Sequence, residues 1–111
     1  RTPAGLQKRI VRGCVAAELA LDIDGRVGEE RFAVLATHLD HLSEAERLLQ
    51  ARCILDHAPE LSRGLPHLLV GDLNAMKRGD YTDAEWAALQ QRNERHGWAP
   101  LEDSAAVAAL E

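Results

Sequence analysis

From Cys14 to Ile23 the chain alternates, with Val15, Ala17, Leu19, Leu21 and Ile23 recurring at period two; that pattern predicts a half-buried strand. Asp24-Gly25 and Gly28 supply turn chemistry, and a second strand is predicted from Phe32 to Thr37. In it, Phe32, Val34 and Ala36 fall on one face and Ala33 and Leu35 on the other. A strand that is apolar on both faces belongs inside a layered structure. The alternation gives way to helical spacing at Ser43, where Ser43-x-x-Glu46 forms a capping-box pattern. Ala45, Leu48, Leu49 and Cys53 carry that helix to about Asp56. Pro59, Gly64 and Pro66 mark a loop, and the apolar run His67-Leu-Leu-Val-Gly-Asp72 reads as a buried strand.

A second capping box, Thr82-x-x-Glu85, opens a helix predicted to run to about His96, with Gly97 as its stop and Trp86 and Leu89 as its apolar stripe. Residues 102–111 are rich in alanine and predict a short helix capped by Asp103 or Ser104. Residues 1–12, with Arg1, Lys8, Arg9, Arg12 and Pro3, read as an irregular lead-in. The first two strands predict a β-hairpin. The order strand 32–37, helix 43–56, strand 67–71 predicts a β-α-β unit with parallel strands.

Parallel strands finish at the same edge of a sheet, and ligand sites lie beyond their carboxyl ends. Here those ends carry Thr37-His38-Leu39-Asp40 and Gly71-Asp72-Leu73-Asn74. A carboxylate at Asp72 can hold a hard divalent cation or a nucleophilic water. The neutral amide of Asn74, two residues on and on the same side if strand geometry persists, can meet a phosphoryl oxygen without repelling it. His38 can donate to a nonbridging phosphate oxygen and stabilise transition-state charge. Taken singly, Gly-Asp-x-Asn equally fits an Asx-turn, and His38 alone fits a structural histidine. Their joint placement favours a site for phosphoryl-group hydrolysis.

Composition bounds this reading. The 111 residues suffice for one small domain, with 46% hydrophobic and 28% charged residues as in a globular protein. A net charge of −5 argues against a broad electrostatic footprint on nucleic acid, yet leaves room for a small phosphorylated substrate brought in by a cation. Cys14 and Cys53 form no disulfide framework; they read as small buried residues in a reducing compartment. No run approaches a membrane span, and a cytoplasmic location is expected. The only methionine is Met76 and the chain opens at Arg1, which reads as a processed chain, an excised domain or a fragment.

Among the remaining polar residues, Asp40 and His41 lie near the site, and Asp40 equally fits a cap of the following turn. Arg47 and Gln50 read as holding the helix to its surroundings. His57, His67 and His96 read as surface groups, and Lys77-Arg78 as a solvated loop. Tyr81, Trp86 and Trp98 are too scattered for a base-stacking platform and read as core or staple residues.

The run FAVLATHLDHLSEAERLLQ at 32–50 and LLVGDLNA at 68–75 together resemble the endonuclease/exonuclease/phosphatase superfamily. That family shows a strand ending in Thr-His, a helix with an Arg-x-x-Gln step (here Arg47 and Gln50) and a strand ending in Gly-Asp-x-Asn. The continuation KRGDYTDAEW at 77–86 is similar to further members, and the resemblance spans about residues 14–98. It implies a four-layer α/β sandwich and cleavage of a phosphodiester or phosphomonoester dependent on Mg2+ (or Mn2+). The substrate class stays open among nucleic acid, phospholipid and small phosphorylated molecules. By the resemblance, His38 contacts phosphate, Asp72 binds metal and orients or activates the attacking water, and Asn74 positions substrate. The family also uses an upstream strand bearing an Asn and a metal-binding Glu, and a late Asp-His pair. Glu18 lies mid-strand without that context, and Asp103 has no histidine after it. Residues 1–111 are therefore expected to be the central part of one such domain, with little activity alone. A binding or scaffold module that kept the fold and lost catalysis is the alternative.

Overall fold

The computed structural model describes residues 11–111; the lead-in reading at residues 1–10 lies outside the described residues. The elements are β1 (Cys14–Ile23), β2 (Arg26–His38), α1 (Glu44–Leu61), β3 (His67–Asp72), a 3-10 turn at Arg78–Asp80, α2 (Asp83–His96) and α3 (Ala105–Leu110). The described residues form a mixed α/β structure with one three-stranded sheet in the order β1-β2-β3. The hairpin β1-β2 is antiparallel and β2-β3 is parallel, with α1 as the connection.

The hairpin is longer than the hydrophobic alternation predicts. Asp24 and Gly25 both adopt positive φ, at 53° and 77°, between the paired residues Ile23 and Arg26. A two-residue turn of that kind matches the twist of the flanking strands. The ladder therefore begins at Arg26 and carries the polar run 26–31, which side-chain periodicity alone does not mark as strand. Gly28 lies in this strand, beside the register shift between Ala20 and Asp22, and not in the turn.

Helix α1 also runs past its expected end, through Pro59 to Leu61. Proline in the last turn removes one helical hydrogen bond, but the chain closes efficiently behind it. The Ser62 and Gly64 N–H groups donate to Ala58 and Pro59 carbonyls at 2.9 and 3.0 Å. At its start only half of the expected capping box forms. Ser43 Oγ accepts from the Glu46 N–H, whereas the Ser43 N–H donates to Asp40 Oδ2 at 2.7 Å in place of Glu46. The second box, between Thr82 and Glu85, is complete, and Gly97 ends α2 in the left-handed conformation. Ser104 caps α3.

The register sorts the sheet into two unlike faces. Rows Cys14–Thr37–Gly71, Ala16–Leu35–Leu69 and Glu18–Ala33–His67 share the face toward α1. There Ala33, Leu35 and Leu39 are buried with Ala51, Ile54 and Ala58 of α1, and Leu35 is 0% exposed. Rows Val15–Ala36–Val70, Ala17–Val34–Leu68 and Leu19–Phe32 form the other face. Among the described residues no layer covers it: Val15 is 70% and Leu68 60% exposed. The expectation of two covered faces is thus met on one side. The expectation of two buried cysteines also needs correction, because Cys53 is exposed on α1 beside His57 and Cys14 is half-buried. No helix among the described residues is long and apolar enough to cross a membrane.

Candidate active site at the strand ends

Parallel pairing of β2 with β3 places His38 directly opposite Asp72. The ladder extends one step further, with the Leu39 N–H donating to the Asp72 carbonyl at 3.0 Å. Just before it, Gly71 has φ 137°, and a Cβ there would lie 1.8 Å from the Thr37 carbonyl oxygen. The two strand ends approach so closely that only glycine fits. That approach brings the imidazole and the carboxylate to the same edge.

His38 Nε2 lies 3.6 Å from Asp72 Oδ2. This is beyond a direct hydrogen bond, and both side chains are more than half exposed, at 56% and 66%. An exposed pair of this kind contributes little to stability. Its open position leaves both groups free to face a ligand. The other carboxylate oxygen, Oδ1, accepts the Asn74 N–H at 2.9 Å, which is the Asx-turn geometry. The turn and the site are therefore compatible: one oxygen shapes the loop and the other points toward His38.

Asn74 is placed differently from the expectation. Strand geometry does not persist past Asp72; Asn74 takes a positive φ of 47°. Its amide Nδ2 donates to the Leu39 carbonyl at 2.9 Å. The side chain therefore laces the loop after β3 to the loop after β2, and presents its remaining polar atoms from there.

The loop after β2 is held just as firmly. Asp40 Oδ2 accepts from the Leu42 and Ser43 N–H groups, the Asp40 N–H donates to Gln50 Oε1 at 2.8 Å, and Arg47 Nη1 donates to the Asp40 carbonyl at 3.1 Å. Both residues of the Arg-x-x-Gln step thus grip the backbone of one residue, two positions beyond His38. Burial pushes the Asp40 carboxyl up, but the Ser43 and Leu42 N–H groups, with His41 and Arg12 nearby, outweigh it and leave its pKa below the ordinary value. Arg12 Nη2 meets His41 Nδ1 at 3.1 Å.

Among the described residues, no three His, Cys, Asp or Glu side chains converge to hold a metal ion. Asp72 is a single carboxylate ligand. Mg2+ is commonly held by one or two carboxylates, waters and substrate phosphate oxygens, and Asp72 fits one place in such a set.

The groove that contains Asp72 and Asn74 is also lined by Trp98, expected as a core or staple residue, and by Arg92 and Asn93 of α2, for which the sequence gives no signal. Lys77 lies exposed in the loop after β3 and pairs with Glu111, while Arg78, at the start of the 3-10 turn, pairs with Asp83 and lies over the Trp86 ring. The Tyr81 and Trp86 rings meet at 5.9 Å as a staple.

Compared with known proteins, the chain matches no family model, no curated protein and no solved structure.

Proposed function

We propose that this chain is the central part of a metal-dependent phosphoester hydrolase domain of the endonuclease/exonuclease/phosphatase type. The observation that carries the reading is the pairing of His38 with Asp72 across adjacent parallel strand ends, 3.6 Å apart and open to solvent. Asn74, tied to the same two loops, completes the group. The four-layer sandwich belongs to the same proposal. Its support is the open apolar face of the sheet, whose alternating side chains suit packing against a second sheet at about 10 Å.

In this reading Asp72 Oδ2 accepts a hydrogen bond from the attacking water and fixes its direction. His38 donates to a nonbridging oxygen, where negative charge grows in the transition state. Asn74 meets the phosphoryl group with a neutral amide. Asp72 would be among the ligands of a bound Mg2+ or Mn2+, which would supply Lewis-acid polarisation of the phosphoester.

The test is hydrolysis of bis(p-nitrophenyl) phosphate and p-nitrophenyl phosphate by the full-length protein. The expected result is turnover that requires Mg2+ or Mn2+, stops with EDTA and returns when metal is restored. Turnover indifferent to EDTA contradicts the reading. Metal-independent binding of a phosphorylated ligand without turnover assigns the chain to the scaffold alternative.

A further inference from the structure

We propose that Trp98 forms a stacking subsite for the nucleobase of a small nucleotide whose phosphate lies at Asp72 and Asn74; this inference rests on the hydrolase reading above. Trp98 is 56% exposed, an unusual state for so large an apolar ring. It is nevertheless held in place. The Trp98 N–H donates to the Asn93 carbonyl at 2.9 Å, and the buried Asn93 side chain donates to the Ala99 carbonyl at 2.9 Å. One residue thus clamps the chain on both sides of the indole. An aromatic ring that is both open and rigid loses little entropy on contact.

Arg92 and His96, one turn apart on α2, back this ring. The His96 ring stacks on it at 4.5 Å and 20°, and the Arg92 guanidinium lies 5.6 Å from its centroid. Trp98 and Arg92 line one groove of about 1570 Å³ with Asp72 and Asn74. A ligand that used both sets of residues in that groove would carry a phosphate and a flat ring. A nucleotide has both groups. A sugar phosphate lacks the ring. A lipid needs a continuous apolar lining, and this one is broken by charged and amide side chains. The net charge of −5 disfavours a long polyanion and favours a mononucleotide or a short unpaired stretch.

Equilibrium calorimetry with three probes tests this: adenosine 5′-monophosphate, ribose 5-phosphate and inorganic phosphate, each with Mg2+ present, on the full-length protein. The nucleotide is expected to bind about tenfold more tightly than the sugar phosphate, from stacking of one base. Trp98→Ala should erase that difference, and Trp98→Phe should keep most of it. Equal binding of nucleotide and sugar phosphate by the wild type overturns the proposal, as does failure to bind the nucleotide or a difference that survives Trp98→Ala. Asp72→Asn separates the two readings. If it alters all three probes alike while the base adds nothing, the stacking subsite fails alone. If base preference persists while Asp72 and metal affect no probe, the hydrolase reading fails and the subsite stands.

Discussion

The two faces of the sheet share the same strands, yet they lead different lives. The face toward α1 buries Ala33 and Leu35 against Ala51, Ile54 and Ala58. The opposite face, built from Val15, Leu19, Val34, Leu68 and Val70, has no covering layer among the described residues. The open face is the more apolar of the two, since Glu18, Thr37 and His67 lie on the covered one, so apolar character alone does not decide burial. What decides it is whether an amphipathic partner follows in the chain: α1 returns over one face because the parallel β2-β3 connection requires a crossover there. The site at the strand ends is anchored to the covered half, through Gly71 against Thr37, Asn74 on Leu39, and Arg47 and Gln50 on Asp40.

The sharpest way to break the contrast is to hollow out the covered face. Leu35→Ala should cost roughly 2–5 kcal/mol, because a fully buried leucine leaves a cavity as well as losing its transfer energy. Chemical denaturation measures it, and a loss below about 1 kcal/mol would show that the core lies elsewhere.

A smaller effect comes from the carboxylate that ties the covered half to its last helix. Glu44 Oε1 accepts from Ser104 Oγ at 2.8 Å and from the Ala106 N–H at 2.9 Å, while Oε2 receives Arg47 Nε at 2.8 Å. Burial pushes the Glu44 carboxyl up, but the Ala106 N–H, the Ser104 hydroxyl and Arg47 outweigh it and hold its pKa below the ordinary 4.5. A lowered native pKa stabilises the folded state fully above pH 4.5, and that contribution fades as pH falls through the native value. Glu44→Gln should cost about 1 kcal/mol at neutral pH and flatten the acid limb of the stability profile. An unchanged acid limb in thermal unfolding at stepped pH would contradict this.

The smallest effect is expected on the open face. Val15→Thr should change the stability of the 111-residue chain by no more than about 0.5 kcal/mol. In a full-length protein whose second sheet covers that face, the same change should cost more than about 1 kcal/mol, since the hydroxyl is then buried. Equal and negligible costs in both would count against the sandwich proposal.

Local signals in the chain carried much of this arrangement, and tertiary context carried the rest. Thr82, Glu85 and Gly97 delimit α2 because capping chemistry acts within one turn of the backbone. The sequence alone brings His38 and Asp72 together, because a β-α-β order dictates a shared edge. The polar residues 26–31 hid a strand, since a ladder can be propagated by backbone bonds from a two-residue turn without an alternating pattern. Asp40 displaced Glu46 at the Ser43 N–H because an upstream carboxylate reached it first, a competition no spacing rule records. Asn74 turned out of the strand path when the Asx-turn at Asp72 reversed the chain. Trp98 gives no groove signal in sequence, because the groove it lines is assembled from the loops after β2 and β3 together with α1 and α2.

The most direct measurement of the central claim is the ratio of Mg2+-dependent phosphoester hydrolysis rates between the wild-type full-length protein and Asp72→Ala. Loss of an aligned nucleophile and a metal ligand together predicts a fall of at least about 100-fold in kcat/KM, with the fold intact by circular dichroism. An Asp72→Ala protein that hydrolyses at the wild-type rate with metal present would contradict the account.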